Sequence, residues 1–192
     1  MIRGLSIFML VGFLLAGLSK SVVAAESFQV NPKSLAEIQF VIPKNSAEQN
    51  YLGLSGGGTF SLPQVKAGTL VIEVFSMYCP FCQENARVVN QVHQLLQNDP
   101  SLERKVKVVG LGIGNTPFEV ELFRKQFGIG FPLFADDNLQ VQKVSEQPFR
   151  TPTFITANIE AGKGLKILDV HVGQIKSPKE FLTKLKKLVG EQ

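Results

Sequence analysis

The only two cysteines of this 192-residue chain sit three positions apart in Cys79-Pro80-Phe81-Cys82, and what flanks them limits the possible folds more than any other feature. Ahead of them, Thr69-Leu-Val-Ile-Glu-Val-Phe75 is a short, mostly apolar, β-rich run suited to a strand buried on both faces. Behind them, Val88, Val89, Val92, Leu95 and Leu96 recur at helical spacing until Asp99-Pro100 ends the pattern. The order predicted is strand, cysteine turn, helix. A strand ending at Ser76 delivers Cys79 to the helix N-terminus, where unpaired N–H groups and the helix dipole favour a negative sulfur.

Disulfide exchange needs one accessible thiolate and a second thiol close enough to release the mixed disulfide, and two intervening residues on a helical turn provide that reach. A purely structural bridge explains the pair less well, because so small a loop constrains the unfolded chain least. Structural zinc would need about two more thiolate or imidazole ligands, and the chain offers only His93 and His171. Cys79 is therefore the expected attacking sulfur and Cys82 its resolving partner; the cycle needs no cofactor.

The rest of the chain extends the alternation. Val106-Lys-Val-Val-Gly-Leu-Gly-Ile113 reads as a second buried strand, and Thr116-Pro117-Phe118-Glu119 carries cap, N1 proline and N3 glutamate in capping-box order, opening a helix that Gly128 closes. A short strand at Phe131 to Phe134 and a short helix near Leu139 to Val144 lead to Thr151-Pro152-Thr153-Phe154-Ile155. There a strand to Ala157 forms a hairpin with Leu165 to Val172. Ser177-Pro178-Lys179-Glu180 opens a final helix. The order βαβαβαββα argues for an α/β fold with a central mixed sheet between helices.

Residues 1–25 read differently. A basic start at Arg3, an apolar run from Leu5 to Leu18 and the small residues before Glu26 predict a signal peptide cleaved near Ala25. The alternative is an N-terminal membrane anchor, for which this run is short of the roughly 20 residues a spanning helix needs. Residues 26–58 are expected to form an extension of loops and edge strands, and 59–192 the main domain. Without Arg3 and Lys20 the 20 basic residues become 18, against 16 acidic ones, so charge names no partner and does not favour nucleic acid. Export would place both cysteines where disulfides persist.

The order of elements and the Cys79-Pro80-Phe81-Cys82 motif resemble the thioredoxin superfamily, and within it the exported TlpA/ResA-like branch, from about Phe60 to the C-terminus. Phe60-Ser-Leu-Pro63 through Leu70-Val-Ile-Glu73, Phe123 to Asp136, and Thr151-Pro152-Thr153-Phe154 carry the likeness. It implies a thioredoxin-like fold with an inserted αβ element before the strand of a cis-proline. By the same resemblance Pro152 is that cis-proline, beside the cysteines, and leaves the backbone of Thr151 free to pair with substrate. Tyr78, Pro80 and Phe81 flank the thiol on the substrate side. Glu73, six residues before Cys79, matches a buried acid that helps move the proton of Cys82; burial would raise its pKa. Taken on the residues alone, Pro152 suits a trans proline at a strand start, and Glu73 suits a solvent-facing strand edge. Tyr78 replaces the tryptophan that often precedes the first cysteine, and Asn85 stands where the ResA-like branch has a glutamate.

Three other chemistries fit less well. Gly110-Leu-Gly-Ile-Gly114 lacks the spacing of a dinucleotide fingerprint. Peroxidase action wants a proline and a threonine upstream, where Ile72 and Ser76 stand. A Sco-like copper carrier could use both thiolates with His171, although such proteins have one more residue between the cysteines. The resemblance favours a reductant of disulfide-containing exported proteins, supplied with electrons by a membrane thiol carrier, with an oxidant of the same fold as the alternative; the lack of an obvious dimerisation module in the sequence predicts a monomer.

Overall fold

The computed structural model describes residues 28–190; the signal peptide expected over 1–25 lies outside the described residues. Among the described residues seven strands and five α-helices follow in the order α1 (Pro32–Glu37), β1 (Phe40–Val41), α2 (Ser46–Leu52), β2 (Thr59–Phe60), β3 (Thr69–Phe75), α3 (Pro80–Gln97), β4 (Val106–Ile113), α4 (Pro117–Phe127), β5 (Leu133–Asp136), β6 (Thr153–Glu160), β7 (Gly164–Val172) and α5 (Pro178–Gly190). The main sheet has the order β5-β4-β3-β6-β7, with β3, β4 and β5 parallel and the β6–β7 hairpin antiparallel to its neighbours. The cysteine-bearing chain thus leaves the central strand.

All seven residues of β3 are buried, as its continuous apolar run implies, and they divide between two cores. Leu70, Ile72 and Val74 face a cluster with Val109, Leu111, Ile155 and Ala157. Val71 and Phe75 face the other side, with Cys82, Ala86, Val89 and Leu96 of α3, Val120 and Phe123 of α4 and Leu185 of α5. The mixed sheet flanked by helices is the architecture the pattern of elements implies.

The stretch before Gly58 departs from expectation. Instead of edge strands and loops it forms two short helices and a single two-residue strand, β1, paired antiparallel with β2. Helices of six and seven residues do not hold in isolation. Here Asn31 Oδ1 accepts from Ser34 N–H, Asn45 Oδ1 accepts from Ala47 N–H, and Gly53 closes α2 with φ 68°. Leu35 and Leu52, both fully buried, then contribute about 1.5–3 kcal/mol each to the first core. Arg124 of α4 fastens this cover, pairing with Glu48 of α2 at 2.8 Å and donating to the Phe131 carbonyl at 3.0 Å.

β5 begins at Leu133, two residues later than the apolar pattern suggested, and pairs only with Gly110–Ile113. The first half of β4 therefore has an open outer edge. Tyr51 fills it: its hydroxyl accepts from Val108 N–H at 2.7 Å and donates to the Val108 carbonyl at 3.3 Å. The helix expected near Leu139 to Val144 is a 3₁₀ turn over Val141–Val144. It is held by Asp136, whose carboxylate accepts from Gln140 and Val141 N–H.

Candidate active site

β3 ends at Phe75, and Ser76, Met77 and Tyr78 lift the chain to Cys79, the N-cap residue of α3. Cys79 Sγ accepts from Cys82 N–H at 3.3 Å, so the sulfur lies where the first turn of the helix offers an unpaired donor. The same thiol donates to the carbonyl oxygen of Thr151 at 3.1 Å. Pro80 at N1 costs the helix no hydrogen bond. Both cysteines are free thiols; Cys79 is half-buried and Cys82 has no exposed surface. Burial first, and the hydrogen bond with Cys79 second, push the Cys82 thiol well above the usual range. One sulfur faces outward and the other stays protonated beneath it.

The Thr151–Pro152 peptide bond is cis. Thr151 is half-buried and Pro152 is buried, while Tyr78, Pro80 and Phe81 are exposed around the thiol, Tyr78 at 65% and Phe81 at 59%. Glu73 lies on β3 between Val71 and Phe75, both in the core cluster that contains Cys82, and alternate strand residues share a face. Its side chain is 1% exposed, so the solvent-facing alternative does not hold. Burial pushes its carboxyl up to about 8, and Oε1 has no hydrogen-bond partner among the described residues. The structure thus gathers Cys79, Cys82, Thr151, Pro152, Tyr78, Pro80 and Phe81 at one end of the sheet and sets Glu73 within the sheet on the α3 side.

Several residues around the cysteines were not singled out from sequence. Asn115, fully buried after β4, accepts from Met77 N–H at 2.8 Å and donates to Ser76 Oγ at 3.4 Å. The Tyr78 hydroxyl donates to Glu119 Oε1, while Glu119 Oε2 accepts from Thr116 N–H at 2.7 Å in the capping box of α4. That contact raises the Tyr78 phenol above its ordinary range and lowers the Glu119 carboxyl. Gln174 Nε2 donates to the Phe81 carbonyl at 3.2 Å and to Glu84. The capping box was legible, but its tie to the cysteine loop depends on a tertiary contact.

The copper alternative requires His171 to join the thiolates. His171 Nε2 instead lies 3.2 Å from the Gln174 carbonyl, with its ring against Phe154 and Phe181. His93 packs against Tyr51 and Phe131. Among the described residues no three His, Cys, Asp or Glu side chains are grouped, so the two thiolates and His171 are not brought together as that alternative requires.

A mixed sheet of order β5-β4-β3-β6-β7, a Cys-x-x-Cys pair opening the helix after the central strand, and a cis-proline loop against the first sulfur define a thioredoxin-like fold. Solved structures agree. The chain is similar to StoA from Bacillus subtilis, with a TM-score of 0.51 and 19% identity over 69% of this chain and 90% of that one. A secreted Mycobacterium tuberculosis disulfide oxidoreductase homologous to Escherichia coli DsbE gives 0.51 and 16%, over 68% and 90% of the two chains. A DsbE-type thiol:disulfide interchange protein candidate from Chlorobium tepidum gives 0.56 and 16%, over 86% and 99%. At these identities the likeness establishes the thioredoxin-like fold. Neither the family models nor the curated proteins give a match to the sequence.

Proposed function

We propose that this chain is an extracytoplasmic thiol-disulfide oxidoreductase that reduces disulfides of exported proteins. The observation that carries the reading is the asymmetry of the pair: a half-buried Cys79 at the helix N-cap, held between Cys82 N–H and the Thr151 carbonyl, above a fully buried Cys82. The Cys79 thiolate attacks one sulfur of a substrate disulfide, forming the mixed disulfide and releasing the other as a thiolate that takes a proton from water. Cys82 then gives up its proton and attacks Cys79 Sγ, expelling the second substrate thiol. The substrate gains two electrons and two protons, and Cys79 and Cys82 end as a disulfide.

Glu73 serves as the buried acid of this cycle: from the α3 side of β3, where Cys82 packs, its ionised form, which gains ground as pH approaches its raised value of about 8, takes the Cys82 proton. Thr151, Tyr78, Pro80 and Phe81 form the surface that a substrate peptide meets. A membrane thiol carrier regenerates the dithiol, and residues 1–25 direct export of a monomer. Among the described residues no helix is long and apolar enough to cross a membrane.

A glutathione redox titration of the full chain, read as the alkylated fraction by mass spectrometry, tests the reading and its direction. A single two-electron transition near roughly −270 mV supports a reductant, and one near roughly −120 mV an oxidant. Cys82→Ser should accumulate mixed disulfides, while Cys79→Ser should lose exchange altogether. The absence of any reversible Cys79–Cys82 disulfide would overturn the proposal.

A further inference from the structure

The glycine-rich stretch at the end of β4 matches no nucleotide-binding fingerprint, yet it has a use at the cysteine end of the sheet. A Cβ on Gly112 would lie 2.8 Å from Val120 Cγ2, 3.2 Å from Asn115 Cβ and 3.2 Å from Phe75 Cζ. The missing side chain is therefore what lets Asn115 tuck in beside the last residue of β3. Gly114, at φ 66°, turns the chain so that Asn115 and the capping box of α4 follow at once.

From that position the β4–α4 connection and the first turn of α4 together reach each of the three residues between β3 and Cys79. Asn115 holds Ser76 Oγ and Met77 N–H, and Glu119 holds the Tyr78 hydroxyl. Asn115 has no exposed surface, so water cannot take the place of either partner. The loop's other bonds are local: Tyr78 N–H to Ser76 Oγ, Cys79 N–H to the Ser76 carbonyl, and Gln83 Nε2 to the Met77 carbonyl. We infer that Asn115 and Glu119 are positioning residues for disulfide exchange, fixing through Ser76, Met77 and Tyr78 where Cys79 Sγ sits over the first turn of α3. The inference rests on the oxidoreductase reading and adds a second element to it, 36 residues beyond the attacking sulfur. Placement matters because a shift of about 1 Å at a reacting atom can cost about a hundredfold in rate. It matters also because a disulfide closes only over a narrow range of Cβ separations.

The test uses the full chain carrying Asn115→Ala, Tyr78→Phe, Glu119→Gln, or Tyr78→Phe with Glu119→Gln. Glutamine keeps the capping box of α4, and the Tyr78 and Glu119 changes lie on the surface, so these variants fold even if Asn115→Ala does not. Two quantities are read: the second-order rate with a small aromatic disulfide, and the equilibrium constant with glutathione. Asn115→Ala should slow exchange about tenfold and move the equilibrium constant about tenfold, which is about 30 mV for a two-electron couple. Tyr78→Phe and Glu119→Gln should each slow exchange about threefold, and the double variant no more than either alone. Rates and equilibrium constants within twofold of the unsubstituted chain would overturn the inference, as would independent, multiplying effects of the two surface changes. Cys79→Ser in parallel separates the two levels: if it still exchanges, the oxidoreductase reading fails; if it is inert while the other variants match wild type, only the positioning role fails.

Discussion

Asn85 of α3 and Ile175, in the loop after β7, exchange a complete pair of hydrogen bonds: Asn85 Nδ2 donates to the Ile175 carbonyl at 2.9 Å, and Ile175 N–H donates to Asn85 Oδ1 at 3.0 Å. A side-chain amide here takes the place of a neighbouring strand. It also occupies the position where the ResA-like branch has a glutamate, and in this chain that position clamps the backbone. Asn85 is 3% exposed, so Asn85→Ala would strand a buried N–H and a buried C=O. The expected cost is about 2–4 kcal/mol by urea denaturation. A loss under about 1 kcal/mol would mean that water replaces the amide.

The buried carboxyl of Glu73 sets a pH dependence with a definite sign. Its ordinary value is 4.5 and in the folded chain it rises to about 8, so between these values the unfolded chain has lost the proton and the folded chain keeps it. Stability should therefore fall as pH rises through this window, by about 1.4 kcal/mol per unit from this group. Glu73→Gln should widen its stability advantage over wild type from pH 5 to pH 8, followed by denaturant midpoints. Parallel curves for the two proteins would contradict this.

Alkaline titration should separate the folded from the unfolded chain. The sequence has two tyrosines and no tryptophan, so absorbance near 295 nm reports the phenols alone. Tyr51 is raised above its ordinary 10.0 by burial, and Tyr78 is raised by its hydrogen bond to Glu119. At pH 10 the denatured chain should show about half of its phenols ionised, the native chain far fewer. Since the folded state holds these protons longer, stability is lost as pH climbs past 10. Glu119→Gln should restore the Tyr78 share of the signal toward its ordinary midpoint.

Two glycines should respond in opposite ways to alanine. Gly112→Ala drives a Cβ into Val120, Asn115 and Phe75, and overpacking of this kind costs about 1–3 kcal/mol. Gly57 has nothing within 4 Å and needs no positive φ, so Gly57→Ala should be neutral or stabilise by up to about 1 kcal/mol. Thermal unfolding of both variants checks the contrast.

From β3 onward the sequence was readable because each element carries its own local signal. The apolar runs of β3 and β4, the capping box and Gly128 of α4, and the glycine turn of the hairpin each specify structure within a few residues. Before Gly58 the helices are too short for a period to show, and what decides them is burial of Leu35 and Leu52 against a sheet that comes later in the chain. The site divides in the same way. The cysteines announce themselves by spacing and context, whereas Asn115 and Asn85 read as ordinary polar residues until their partners, 38 and 90 residues away, are placed beside them.

Cys79 meets its carbonyl partner 72 residues downstream, at Thr151. A chain interrupted anywhere between Cys82 and Thr151 would carry both thiols but no carbonyl to receive the outer one, and without β6 one side of the central strand would stand open. The asymmetry of the pair is therefore a mark of maturity. Until then the two cysteines of a nascent chain are alike; in the finished protein one is half-buried against the Thr151 carbonyl and the other is fully buried.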